Sequence, residues 1–115
     1  MLMKELTSKN FDREILLSPN WVLVDFFATW CGPCKAISPY LEQLSQTYSM
    51  VDFFKVDIDA SPDLAQRFKI ASVPTFKFIH KGRVNHTQVG LLNPSDLDAQ
   101  LRSLLKLWAP LPEKV

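Results

Sequence analysis

Between Trp21 and Ala28 every residue except Asp25 is apolar. A strand apolar on both faces must be covered on both, which places it at the centre of a largely parallel sheet with helices on each side. Directly after this run comes Thr29-Trp30-Cys31-Gly32-Pro33-Cys34-Lys35, which holds both cysteines of the chain, three positions apart. Behind it Ile37, Leu41, Leu44 and Tyr48 recur at intervals of three and four residues, an amphipathic helix that Pro39 should kink rather than end. A Cys-x-x-Cys at a strand-to-helix junction suits thiol–disulfide chemistry, because the helix N-terminus stabilises the first cysteine as a thiolate.

The remaining segments complete an alternating pattern. Leu2 to Leu6 reads as a short first strand, and Lys9 to Leu17 as a helix with Phe11, Ile15 and Leu16 on one face, ended by Ser18-Pro19-Asn20. Val51 to Ile58 is a second long strand. Ser61-Pro62-Asp63 then has the form of an N-cap, a first-turn proline and a first-turn acid, opening a short helix to Phe68. Phe76 to Ile79 and Val84 to Val89 form a hairpin around His80-Lys81-Gly82-Arg83. Asn93-Pro94-Ser95-Asp96 opens a last helix carrying Leu97, Leu101, Leu104 and Leu105. The order βαβαβαββα predicts an α/β three-layer sandwich around a mixed sheet.

Composition narrows the function classes. A chain of 115 residues with 47% hydrophobic content forms one domain with a real core and needs no disulfide staple. A net charge of +1 without a basic block argues against nucleic acid as partner. No apolar stretch approaches the roughly 20 residues of a membrane span. Met1 to Glu5 lacks the features of a signal peptide, so the expected compartment is reducing and cytoplasmic, or organellar where a transit peptide has been removed. There a lone close pair of cysteines points to redox or metal chemistry.

In the redox reading Cys31 attacks, assisted by the helix start and by Lys35, and Cys34, one turn inward, resolves the mixed disulfide. Gly32-Pro33 supports the tight turn into the helix. Three alternatives stand beside it. A zinc site would have to add His80 and His86, at a spacing unlike that of zinc fingers. A structural disulfide would close too short a loop to stabilise much. Two core cysteines could also coincide. Asp25, a carboxylate in an apolar strand, is either a proton acceptor for Cys34 or an acid satisfied by hydrogen bonds or solvent. Lys55, inside Phe53-Phe54-Lys55-Val56, is either its charge partner or a lysine snorkelling from a strand edge. Pro74 precedes a strand, and spacing alone does not define its isomer.

Taken together these residues resemble the thioredoxin family. The resemblance runs from the first helix to about Lys106 and rests on Val24-Asp25-Phe26, Ala28-Thr29-Trp30-Cys31-Gly32-Pro33-Cys34-Lys35, Pro39, Lys55, Asp57, Val73-Pro74-Thr75, Gly82 and Gly90. It implies a thioredoxin fold with a central five-stranded mixed sheet over residues 1–106, leaving 107–115 as a C-terminal tail. It implies a protein-disulfide reductase that maintains cell redox homeostasis, with a reversible Cys31–Cys34 disulfide. Cys31 would be the nucleophile, Cys34 the resolving cysteine, Asp25 the proton acceptor with Lys55 beside it, and Pro74 the family's cis-proline. Trp30, Gly32, Pro33, Val73, Pro74, Gly90 and Leu91 would receive an extended substrate peptide. No bound cofactor and no metal are implied. Electrons would come from NADPH through thioredoxin reductase and pass to disulfide-containing target proteins, with the chain acting as a monomer.

The sequence departs from the family pattern in three places. Phe27 stands where many bacterial members carry tryptophan. Leu91 follows Gly90 where a smaller residue is common, which would alter the groove rim and target preference. The tail carries Trp108 and Leu111, whose apolar side chains could pack back or meet a partner. Two rival functions remain at this level. An oxidase or isomerase usually carries histidine before the second cysteine, where this chain has Pro33; a scaffold subunit would use the groove and tail with redox state incidental.

Overall fold

The computed structural model describes residues 3–90 and 93–108, with side chains as far as Lys106. Nine elements follow in order: β1 (Lys4–Glu5), α1 (Phe11–Leu17), β2 (Trp21–Phe27), α2 (Gly32–Thr47), β3 (Val51–Asp57), α3 (Pro62–Arg67), β4 (Thr75–His80), β5 (Arg83–Val89) and α4 (Pro94–Trp108). The five strands form one sheet in the order β1-β3-β2-β4-β5. β1, β3 and β2 are parallel, whereas β4 runs antiparallel to both β2 and β5. The strand β2, apolar but for Asp25, is therefore the middle of a mixed sheet, as its two-faced burial requires.

Each sheet face carries its own core. Leu23, Phe53, Phe76 and Phe78 pack on one side with Ile37 and Leu41 of α2 and Leu97 and Leu101 of α4. Val22, Val24, Phe26, Phe54 and Val56 pack on the other side with Phe11 and Ile15 of α1 and Leu64 of α3. Consecutive residues of β2 thus feed opposite layers, the two-residue period of a strand. Burying one such side chain contributes about 1.5–3 kcal/mol, so two full layers hold β2 and everything attached to its end in place. No helix among the described residues is long and apolar enough to cross a membrane.

Several boundaries differ from the sequence reading. Helix α1 begins at Phe11, not Lys9, and Leu16 is 74% exposed although Phe11 and Ile15 are buried. At 100° per residue, Ile15 returns to the bearing of Phe11 while Leu16 lies about 140° away. Strands β2 and β3 each end one residue early, at Phe27 and Asp57. Ser61 occupies the cap position of α3, but its side chain makes no capping bond; instead its carbonyl accepts from the N–H groups of Leu64 and Ala65. Strand β1 spans only two residues, and Leu2 lies outside the described residues.

Other start and turn signals act as read. Asn93 Oδ1 accepts the Asp96 N–H at 2.9 Å, capping α4. The β4–β5 turn puts Lys81 at φ 53° and Gly82 at φ 76°, the paired left-handed conformation of a two-residue hairpin. Helix α2 continues through Pro39. Helix α4 extends to Trp108, two residues past the boundary placed at 106, while 109–115 lie outside the described residues.

Candidate active site

The carboxyl end of β2 delivers the chain straight into α2. Cys31 sits at the cap of α2 in extended conformation, and its Sγ accepts the backbone N–H of Cys34 at 3.1 Å. That contact satisfies one of the donors that every helix start leaves open, and it directs a positive dipole at the sulfur. Pro33 follows in the first turn, where a missing N–H costs nothing. Cys31 and Cys34 form a disulfide, with Cα atoms 5.3 Å apart. Both are buried, in a small cluster with Ala28 against which Phe27, Ile58 and Val73 pack.

Distant segments close over this junction. The Val73–Pro74 peptide bond is cis, and the Val73 carbonyl oxygen lies 3.7 Å from Cys31 Sγ. The isomer that spacing left open is thereby resolved. Gly90, at φ 89°, donates its N–H to the Pro74 carbonyl at 2.8 Å, so the end of β5 borders the same face. Trp30 is 68% exposed, and its indole N–H donates to Asp59 Oδ2 at 2.8 Å. Gly32 and Pro33 are exposed at the helix start. Of the residues read as a peptide groove, Trp30, Gly32, Pro33, Val73, Pro74 and Gly90 surround the cysteines; Leu91 lies outside the described residues.

Asp25 approaches from behind. It is 5% exposed in β2, in parallel register with Lys55 and opposite Phe76. Burial raises its pKa from the ordinary 3.8 to about 7, and the charge of Lys55 offsets part of that rise. A cavity of about 530 Å³ is lined by both Asp25 and Cys34, together with Lys35, Ser38 and Lys55. Lys55 itself is half-buried, with its ammonium 5.6 Å from the centre of the Phe27 ring. A carboxyl group poised near neutrality in the same cavity as a cysteine can exchange a proton with its thiol. The zinc arrangement is not assembled: His80 stacks on Trp21 at the start of β2, with ring centres 4.8 Å apart, whereas the cysteines lie beyond its other end.

Two further residues contribute to the site from outside the motifs. Asp59 anchors Trp30, and its only mark in the chain is the acidic alternation Asp57-Ile58-Asp59. Ser38 lines the cavity one turn past Cys34, a placement that helical periodicity could have supplied.

A mixed sheet that holds a disulfide-forming Cys-x-x-Cys at the end of its central strand, faced by a cis-proline, defines a dithiol–disulfide oxidoreductase. The thioredoxin family model matches residues 2–103. The chain is 38% identical over 104 residues to thioredoxin-1 of Schizosaccharomyces pombe, covering 90% of this chain and all of that one. It is 40% identical to horse (Equus caballus) thioredoxin over 106 residues, again 90% of this chain and all of the relative. Oxidised mitochondrial thioredoxin 3 of Saccharomyces cerevisiae superposes with a TM-score of 0.80 at 35% identity, over 88% of this chain and 94% of that one. The chain belongs to the thioredoxin family. With its cysteines at disulfide distance it is a protein-disulfide reductase.

Proposed function

We propose that Cys31 is the attacking thiolate, Cys34 the resolving thiol and Asp25 the base that frees it. Cys31 Sγ attacks one sulfur of a target disulfide, forming a mixed disulfide and releasing the second target sulfur as a thiolate, which takes a proton. Cys34 then loses its proton to Asp25 and attacks Cys31 Sγ, expelling the first target sulfur as a thiolate, which takes up a proton as Asp25 gives its own back. Two electrons and two protons have moved to the target, and the Cys31–Cys34 bond has formed. Support comes chiefly from the Cys34 N–H directed at Cys31 Sγ, a donor that favours the charged form of the attacking sulfur.

Trp30, Gly32, Pro33, Val73, Pro74, Gly90 and Leu91 receive the target's backbone, with Lys55 tuning Asp25. The oxidised pair is returned to the dithiol by an NADPH-dependent thioredoxin reductase, so the chain carries electrons without a bound cofactor. It works as a monomer in the cytoplasm. A mitochondrial relative makes an organelle the competing compartment, which organelle-resolved imaging of the tagged full-length protein decides. The direct test of mechanism is insulin reduction by Cys31→Ser and Cys34→Ser variants. Neither should turn over, and normal turnover in either would reject these roles. The potential of the pair against glutathione separates a reductase from an oxidase, whose potential is much less negative.

A further inference from the structure

The cavity behind Cys34 has a lining that proton transfer alone does not require. Two cations line it, Lys35 from α2 and Lys55 from β3. Neither engages in an ion pair among the described residues. Ser38 adds a hydroxyl. Asp25 lines it as well, and its Oδ1 is buried with no hydrogen-bond partner among the described residues. Two positive charges call for an anion, whereas an unsatisfied carboxylate oxygen calls for a hydrogen-bond donor. Few small species offer both. An oxyanion that keeps a hydroxyl does, and a volume of about 530 Å³ admits one with its remaining water shell.

We propose that this cavity is a binding site for inorganic phosphate, with its charged oxygens toward Lys35 and Lys55 and its hydroxyl donating to Asp25. Two ammonium groups against one carboxylate and a phosphate monoanion balance, and the dianion that prevails at pH 8 leaves a single excess negative charge. Sulfate has the same shape but no hydroxyl at neutral pH, so it would leave the Asp25 oxygen unsatisfied and bring acceptor against acceptor. The site exists whatever part Asp25 plays in the exchange. If that part is the one given above, bound phosphate competes with Cys34 for the carboxylate.

The test is an amide and side-chain NMR titration of the oxidised protein at pH 8 and constant ionic strength, with phosphate, sulfate and methyl phosphate as probes. At that pH methyl phosphate has also lost its last hydroxyl proton. Saturable shifts confined to the cavity lining are expected, with phosphate bound about tenfold tighter than either competitor, the worth of one charge-assisted hydrogen bond. Lys35→Met should weaken phosphate and sulfate alike. Asp25→Asn, which offers an N–H as well as a carbonyl, should abolish the preference. Equal affinity for phosphate and sulfate, a preference retained in Asp25→Asn, or shifts that never saturate would each overturn the site. Insulin reduction in phosphate-free buffer keeps that failure separate from a failure of the disulfide chemistry.

Discussion

Replacing Asp25 with asparagine should make the protein more stable, by a margin that grows as the pH rises from about 4 to about 7. A folded-state pKa raised from 3.8 to about 7 means that the native protein holds this carboxyl protonated where the unfolded chain has released the proton. Below about pH 4 both states are protonated and burial of the group adds no ionisation cost. Between pH 4 and 7 the unfolded state alone ionises, so stability falls as pH rises. Above 7 the native carboxylate is charged and the whole penalty is present. At about 1.36 kcal/mol for each pH unit, that rise corresponds to about 4 kcal/mol. An asparagine side chain carries no charge at any pH, so the Asp25→Asn variant escapes this cost. The assay is urea unfolding of both oxidised proteins at pH 4 and pH 8. The stability difference between variant and wild type should grow by about 4 kcal/mol from the lower pH to the higher. A difference that is the same at both pH values would refute a buried, desolvated carboxyl at this position.

Other consequences are open to measurement. In single-turnover experiments Asp25→Asn should slow resolution of the mixed disulfide around neutral pH while leaving the initial attack by Cys31 intact; unchanged kinetics from pH 6 to 9 would contradict its role as base. Cys34→Ser should trap mixed disulfides with many proteins in a pull-down, whereas one stoichiometric, thiol-independent partner would indicate a scaffold. Leu97→Ala, at a fully buried position on α4, should cost about 2–5 kcal/mol in chemical denaturation, while Leu16→Ala on the exposed face of α1 should stay within about 0.5 kcal/mol. Tyr48→Phe removes the hydroxyl that donates to Asp98 and so ties the end of α2 to α4; about 1 kcal/mol should be lost.

Much of the site was legible because it is local. Cys31, Gly32, Pro33 and Cys34 occupy one helical turn, and the chemistry of that turn follows from the helix start whatever surrounds it. The apolar run around Asp25 likewise announced a buried carboxyl. Leu16 misled for a related reason: a short helix offers too few turns for its apolar face to be assigned reliably, so adjacent leucines compete for one stripe. Ser61 misled because a cap residue can satisfy the first turn through its backbone carbonyl while its hydroxyl goes unused.

The amino-acid order alone determined a central strand buried on both faces, a redox-competent pair at its end and a carboxylate behind it. Each follows from interactions between residues near one another along the chain, where strand and helix periods govern. Only the tertiary structure decided that Val73 and Pro74 lie over Cys31, that Asp59 anchors Trp30, and that Lys35, Ser38, Lys55 and Asp25 enclose one cavity with Cys34. Those groups come from separate segments, and sheet order and packing set their distances. The raised pKa of Asp25 is likewise a tertiary property: burial between two packed layers lifts it, and the charge of Lys55, brought alongside by the β2–β3 register, offsets part of the rise.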